Sequence, residues 1–192
     1  MISDLSTYSI ENFIMFSYEV YWSMVASYNT ELWPYQLIIF AFNIFLFFSI
    51  LKRKNLKWVL ALVGIYHAVI ANIFFIQKFA LINTASEYIG YLYLLISFLL
   101  FSLAFRSQRW KKSHSKITLV LIVVGLFVPF HFFRQFELTH IMLAGWGSLN
   151  TSLLTLGVLS SVQDTGKYLK KLISALTLFW ILLYFTVAIY LD

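Results

Sequence analysis

Six long apolar runs, at residues 34–51, 58–77, 88–105, 117–133, 139–162 and 172–191, leave this chain few ways to fold. Each approaches the ~20 residues with which an α-helix crosses ~30 Å of hydrocarbon. The runs are continuous rather than alternating apolar with polar, so membrane strands are not expected. The chain is 61% hydrophobic and 11% charged, whereas about a quarter of the residues in soluble domains are charged. A water-soluble particle of this size has too little polar surface to cover such a core. The expected fold is all-α: a polytopic membrane helix bundle of six transmembrane helices, preceded by an N-terminal amphipathic interfacial helix. Residues 1–33 then form an extracytoplasmic amphipathic segment, and 34–192 the six-helix transmembrane domain.

The N-terminal helix is expected to start at Ile10 behind Ser9, a capping residue type, with Glu11 in its first turn. Phe13, Phe16, Val20 and Met24 recur at three- and four-residue spacing and define one apolar stripe. Glu11 and Glu19 argue against a seventh span, since a carboxylate at mid-membrane costs about 2.5–3.5 kcal/mol. No cleavable signal peptide is expected, because Met1 to Tyr8 lacks a basic start. Pro34 suits the opening turn of the next helix, where its missing N–H costs nothing.

The connections set an orientation. Lys52, Arg53, Lys54 and Lys57, then Arg106, Arg109, Lys111, Lys112 and Lys116, then Lys167, Lys170 and Lys171 account for all but two of the 14 basic residues. They fall in alternate connections, which the positive-inside rule places in the cytoplasm, with both termini outside. A net charge of +6 does not imply nucleic acid here, because the basic residues form short clusters between apolar runs rather than one stripe. The lipid bilayer is the expected partner, and the basic connections suit anionic headgroups. Trp and Tyr are expected near the interfaces.

Catalytic patterns are absent: no phosphate-binding Gly-Lys loop, no nucleophile elbow, no His-Glu-x-x-His and no cysteine. The chain therefore does not read as an enzyme. Polar residues inside lipid are expensive, which makes intramembrane ones default site candidates. His67 stands about ten residues into the second run and is suited to anchor a substrate, relay a proton or bind a metal; a histidine bonded to a neighbouring helix is the structural alternative. Glu137 and His140, three apart, present a spacing used in bundle metal sites, although Glu137 can equally pair with Arg134. Pro129 should break the fourth helix and free backbone groups that need partners. The fifth run, with Gly145, Gly147, Ser148, Asn150, Thr151, Ser152 and Thr155, is the most polar. It suits either close helix packing or a loosened helix lining a cavity.

Tyr28-Asn29 with Trp33-Pro34, Tyr66-His67, Phe74-Phe75 and Ile82-Asn83-Thr84-Ala85 together resemble an uncharacterised family of bacterial six-span integral membrane proteins, a domain of unknown function. The chain departs from that pattern at Thr84, where the family has proline, and in the fifth run, which lacks the family's proline and cysteine. The resemblance implies six spans in a bacterial inner membrane. It marks Tyr66, His67, Asn83 and His140, and implies no activity.

These readings lead to a multi-pass membrane protein with an outward-facing polar cavity that binds or passes a small solute or metal ion. His67 and Tyr66 would lie within, with Asn83, Glu137 and His140 at the mouth, under a lid made by the N-terminal helix and Trp33. His67 and His140 are the metal candidates, and no cofactor is specified. The alternative is a non-catalytic subunit or scaffold that binds another membrane protein.

Overall fold

A computed structural model describes residues 16–106, 109–111, 114–129, 138–163 and 166–190. Seven α-helices carry these residues: α1 (Tyr18–Leu32), α2 (Tyr35–Leu51), α3 (Leu56–Val69), α4 (Ser86–Ala104), α5 (Lys116–Phe127), α6 (Ser148–Ser161) and α7 (Lys167–Tyr190). α3 runs on as a π-helical segment, Ile70–Lys78, and a 3-10 turn, Phe79–Leu81. An isolated bridge between Trp110 and Val162 is the one β pairing among the described residues.

The fold is all-α, but six spans are not found. Three described helical stretches are long and apolar enough to cross a membrane: Leu56–Leu81, Ser86–Ala104 and Lys167–Ile189. A fourth exists only if α1 and α2 count as one span, and these are bent by 84° at Trp33-Pro34. The peptide bond there is cis. The fourth and fifth apolar runs fall short for a physical reason. α5 has 12 residues, about 18 Å at 1.5 Å per residue, and α6 has 14, about 21 Å; neither reaches ~30 Å. Pro129 stops α5. It has no N–H for the Gly125 carbonyl, and it pushes Val128 out of helical geometry, to φ −103° and ψ 109°. The apolar stretch from Ile141 to Gly147 is then not helical, and α6 begins only at Ser148.

The N-terminal helix also differs from expectation. Ser9, Ile10, Glu11 and Phe13 lie outside the described residues. The described helix starts at Tyr18, capped by Ser17, whose Oγ accepts from the Val20 amide. Its buried face is Tyr21, Val25, Tyr28, Asn29 and Leu32; of the expected stripe, Phe16 is buried just ahead of the helix, Met24 is half-buried and Val20 is exposed. Tyr28 and Asn29 explain the rotation, because their polar ends find backbone partners in the 139–146 stretch (below). α1 thereby joins an aromatic cluster with Phe74, Phe75, Phe79, Met142, Trp146 and Trp180.

α6 is the innermost helix. Eleven of its residues are buried, most of the polar ones included. Its contact with α5 is close to the backbone: a Cβ on Gly125 would lie 2.6 Å from the Leu154 nitrogen, and one on Gly157 3.1 Å from the Ile122 nitrogen. Small residues allow this approach. α2 and α7, by contrast, show large apolar side chains to the outside, among them Phe40, Phe42, Phe45, Phe48, Phe179, Leu182 and Phe185.

At one end of the bundle the basic connections meet. His114 spans from the Ile50 carbonyl at the end of α2 (3.1 Å) to Ser161 Oγ at the end of α6 (3.1 Å). The Lys111 amide donates to the Ser161 carbonyl and the Gln163 amide to the Arg109 carbonyl. Lys170 Nζ donates to the Val162 carbonyl. The three basic clusters of the sequence thus share a single end.

Candidate functional site: a polar interior around His67

A buried stretch of non-helical backbone needs partners for every carbonyl and N–H, because lipid offers none. The stretch Ile141–Gly147, with the 3-10 turn before it, obtains several of them from side chains on different helices. Asn29 Nδ2 of α1 donates to the carbonyls of Thr139 (2.6 Å) and Ile141 (3.1 Å). Tyr28 Oη donates to the Trp146 carbonyl at 3.2 Å. Asn43 Nδ2 of α2 donates to the Ala144 carbonyl at 3.0 Å, and its Oδ1 accepts from Tyr66 Oη at 3.0 Å. The Gly145 amide donates to Thr151 Oγ1 at 2.9 Å, and Tyr93 Oη of α4 donates to the Ser148 carbonyl at 3.0 Å. Gly145 sits at φ +98°, where a Cβ would also collide with Ile39. On the α5 side, Asn150 Nδ2 donates to the carbonyls of Gly125 (3.2 Å) and Val128 (2.7 Å), the groups left over by the break at Pro129.

His67 lies beside this network, fully buried. Its Nδ1 is 3.0 Å from the Val63 carbonyl. A carbonyl only accepts, so the proton is on Nδ1. The buried polar side chains of the described residues include Asn, Ser, Thr and His but no carboxylate, and an uncompensated buried imidazolium would be costly. The ring is therefore the neutral Nδ1–H tautomer, and Nε2 carries a lone pair. That Nε2 is buried and has no hydrogen-bond partner.

The ring of His67 rests on Tyr93, with centroids 5.0 Å apart and planes 31° apart. Tyr93 also bonds Ser152 Oγ at 2.8 Å. On another flank of Tyr93 stands Trp180 of α7, edge-on at 5.8 Å. Its Nε1 is buried and makes no hydrogen bond of good geometry, with the Tyr93 hydroxyl as its neighbouring acceptor. Phe75 touches both rings, at 4.9 Å from Tyr93 and 5.0 Å from Trp180. Thr151 and Thr155 of α6 are fully buried nearby in the chain, but their hydroxyls are used, on the Gly145 amide and the Thr151 carbonyl.

The other residues singled out from the sequence are placed as follows. Tyr66 is buried and belongs to the Asn43 network. Asn83 turns the chain into α4: its Oδ1 accepts from the Ala85 amide at 3.0 Å. His140 is half-buried, its ring tilted against Trp22 of α1 with centroids 4.8 Å apart. Trp33 is 61% exposed at the bend between α1 and α2. Glu137, His131 and Arg134 lie outside the described residues. His67's hydrogen bond and ring contact are with Val63 and Tyr93, and neither reaches Asn83, His140 or Trp33. Among the described residues no three His, Cys, Asp or Glu side chains stand together as a metal site would require.

Tyr93 and Trp180 were not singled out from the sequence. Aromatic residues were expected at the interfaces, as Trp58 and Tyr168 are exposed near the basic end. Trp180 carried the better signal. It falls in the middle of its apolar run, where an indole N–H needs a partner that lipid cannot give.

No family model, no curated protein and no solved structure matches this chain. The resemblance to the six-span family is thus not upheld, and the span count contradicts it as well. Tyr66, His67, Asn83 and His140 stand on their geometry alone.

Proposed function

We propose that this protein is a membrane-embedded binding protein for a small polar organic solute, with His67 as the buried anchor. The observation that carries the reading is the His67 Nε2 lone pair, buried and without a partner. Leaving such a group unsatisfied costs about 1–3 kcal/mol, a cost that a ligand removes on binding. The surroundings support it. Unwound backbone next to a polar inner helix is how membrane proteins build solute sites inside the bilayer, and here that backbone is already satisfied by Tyr28, Asn29, Asn43, Tyr93 and Thr151. His67 Nε2 is the acceptor left over among the buried side chains of the described residues.

Binding, rather than chemistry, is the role we assign. The buried side chains of the described residues include no carboxylate to serve His67, and Ser152 is engaged by Tyr93. A lone histidine also falls short of the three or four ligands of a zinc site, which favours an organic solute over a metal ion. The shared basic end is the cytoplasmic one in this reading, by the positive-inside rule.

The test is a thermal-shift screen of detergent-purified protein against small polar solutes and divalent metal ions, with wild type and His67→Phe in parallel. A solute that raises the Tm of wild type and not of the variant is the expected result. A shift with metal ions alone would restore the metal reading. No shift that depends on His67 would overturn the proposal and favour a scaffold role, in which the outer Phe-rich faces of α2 and α7 meet another membrane protein.

A further inference from the structure

Asn72 is an amide on the outside of an apolar span. It stands within Leu56–Leu81, six residues before Lys78, and its side chain is exposed. Its Nδ2 donates to the Ala68 carbonyl of its own helix at 2.8 Å. Ser102 and Thr186, also on outer faces, bond back in the same way, to the carbonyls of Phe98 and Leu182 at 2.9 Å. That bond uses the only proton a hydroxyl has. An amide has a second N–H and an oxygen besides, and for Asn72 neither has a bond among the described residues. Lipid offers them no partner.

The face around Asn72 is also unlike the other outer faces. Trp58, Ala61, Ile65, Ala68 and Asn72 follow one another at alternating spacings of three and four, and each is exposed or half-buried, while Leu60, Val63 and His67 between them point inward. This is the seam spacing of two helices packed in a left-handed supercoil. Asn72 lies in the π-helical continuation of α3, and its exposure keeps it on the same face. α2, α4 and α7 fill their outer faces with bulky side chains such as Phe40, Phe98 and Phe179. Here two alanines alternate with the larger residues, and small residues let helix backbones approach inside a membrane.

We propose that this face of α3 pairs with the same face of a second copy of the chain, across a two-fold axis along the membrane normal. The basic connections share one end, so all copies enter a membrane in one orientation and their α3 helices meet parallel. Across a two-fold axis each residue near the axis meets itself. An amide is its own complement: the free N–H of each Asn72 donates to Oδ1 of the other, which satisfies both. A polar residue at one seam position also fixes register and the number of helices that join. Ala61 and Ala68 bring the two backbones close, and Ile65 packs between them. The pairing is independent of His67, which points to the other side of the helix.

The test uses the full chain in cell membranes. The protein has no cysteine, so an introduced thiol is its only one. With a mild oxidant, Ala61→Cys and Ile65→Cys should each give a disulfide-linked species of twice the chain mass. Leu95→Cys on α4 and Leu182→Cys on α7, both exposed, should not. In micelles, energy transfer between differently labelled copies should show the pair dissociating about tenfold more readily in Asn72→Ala, the worth of such hydrogen bonds in a membrane. Asn72→Gln, which keeps the amide, should retain most of the affinity, and Ala68→Ile should separate the copies. No crosslink at Ile65→Cys, or equal crosslinking at the control positions, would overturn the proposal. So would a pair indifferent to Asn72→Ala and Ala68→Ile. A crosslinked species of any mass other than twice that of the chain would show a different membrane protein on this face, which also overturns it. None of these outcomes bears on solute binding at His67, which the thermal-shift screen reads separately.

Discussion

Asn150 Nδ2 lies 3.2 Å from the Gly125 carbonyl, the oxygen that Pro129, four residues on, cannot serve. The same nitrogen reaches the Val128 carbonyl at 2.7 Å. One amide on α6 thus closes the broken end of α5, where water is not at hand to do so. Asn150→Ala should destabilise the protein by about 1–3 kcal/mol, the cost of buried acceptors left alone. Unfolding in mixed micelles measures it. A loss well under that range would mean that the α5 break is satisfied from elsewhere.

Tyr66 and Asn43 should behave as one unit. Tyr66 Oη donates to Asn43 Oδ1, while Asn43 Nδ2 holds the Ala144 carbonyl. Tyr66→Phe alone should cost about 0.5–1.5 kcal/mol. Asn43→Ala should cost more, since it also frees a backbone carbonyl. The double variant should fall short of the sum, with a coupling in the range of about 0.5–3 kcal/mol seen for residues in one network. Simple additivity, read by the same unfolding assay on all four proteins, would dissolve the network.

Gly145 joins a left-handed backbone, φ +98°, to contacts with Ile39 and Tyr66 that leave no room for a methyl group. Gly145→Ala should therefore meet both backbone strain and overpacking, each about 1–3 kcal/mol. Its effect should reach the Tyr66–Asn43 bond, visible as a weaker coupling in the double-variant cycle made in the Gly145→Ala background. An unchanged cycle would separate the two features.

His67 should show the reverse of these three. Its Nε2 is unpaired and its Nδ1 bonds only a carbonyl of its own helix, so an apolar side chain of similar size loses little and removes a buried unsatisfied atom. His67→Phe, with His67→Leu as a size control, should leave the ligand-free Tm equal to wild type or raise it, while removing solute binding. A clear fall in Tm for both variants would show that His67 is a structural residue whose second nitrogen is satisfied after all.

Much of the outline was legible from residues alone, and its failures have a common cause. Runs such as 58–77 and 172–191 read as long apolar helices, and they are, because a continuous apolar stretch without proline has no better way to satisfy its backbone. The run 139–162 looked equally long, yet Ile141 to Gly147 is not helical. Apolar composition says that such residues are buried but not in which backbone conformation. That depends on remote donors: Asn29, Asn43 and Tyr28 make the open backbone tolerable, and no local pattern links them to residues more than a hundred positions away. Pro129 announced the break and its need for partners, though not how far the break would extend. For the site, His67 stood out as a histidine in an apolar run. Tyr93 did not, since one tyrosine among Tyr88, Tyr91 and Tyr93 turns inward only through the rotation of α4 against α3 and α6. Asn83 and His140 were read as a mouth from their place near the outer ends of the runs; among their contacts are the Ala85 amide and the ring of Trp22.

The most direct test of the account is the ¹⁵N spectrum of histidine-labelled, ligand-free protein, with His67 assigned by His67→Gln. The account predicts a ring protonated on Nδ1 alone, with an Nε2 shift characteristic of a bare lone pair. A proton on Nε2, or an Nε2 already hydrogen-bonded in the ligand-free protein, would contradict it and remove the anchor on which the proposed binding site stands.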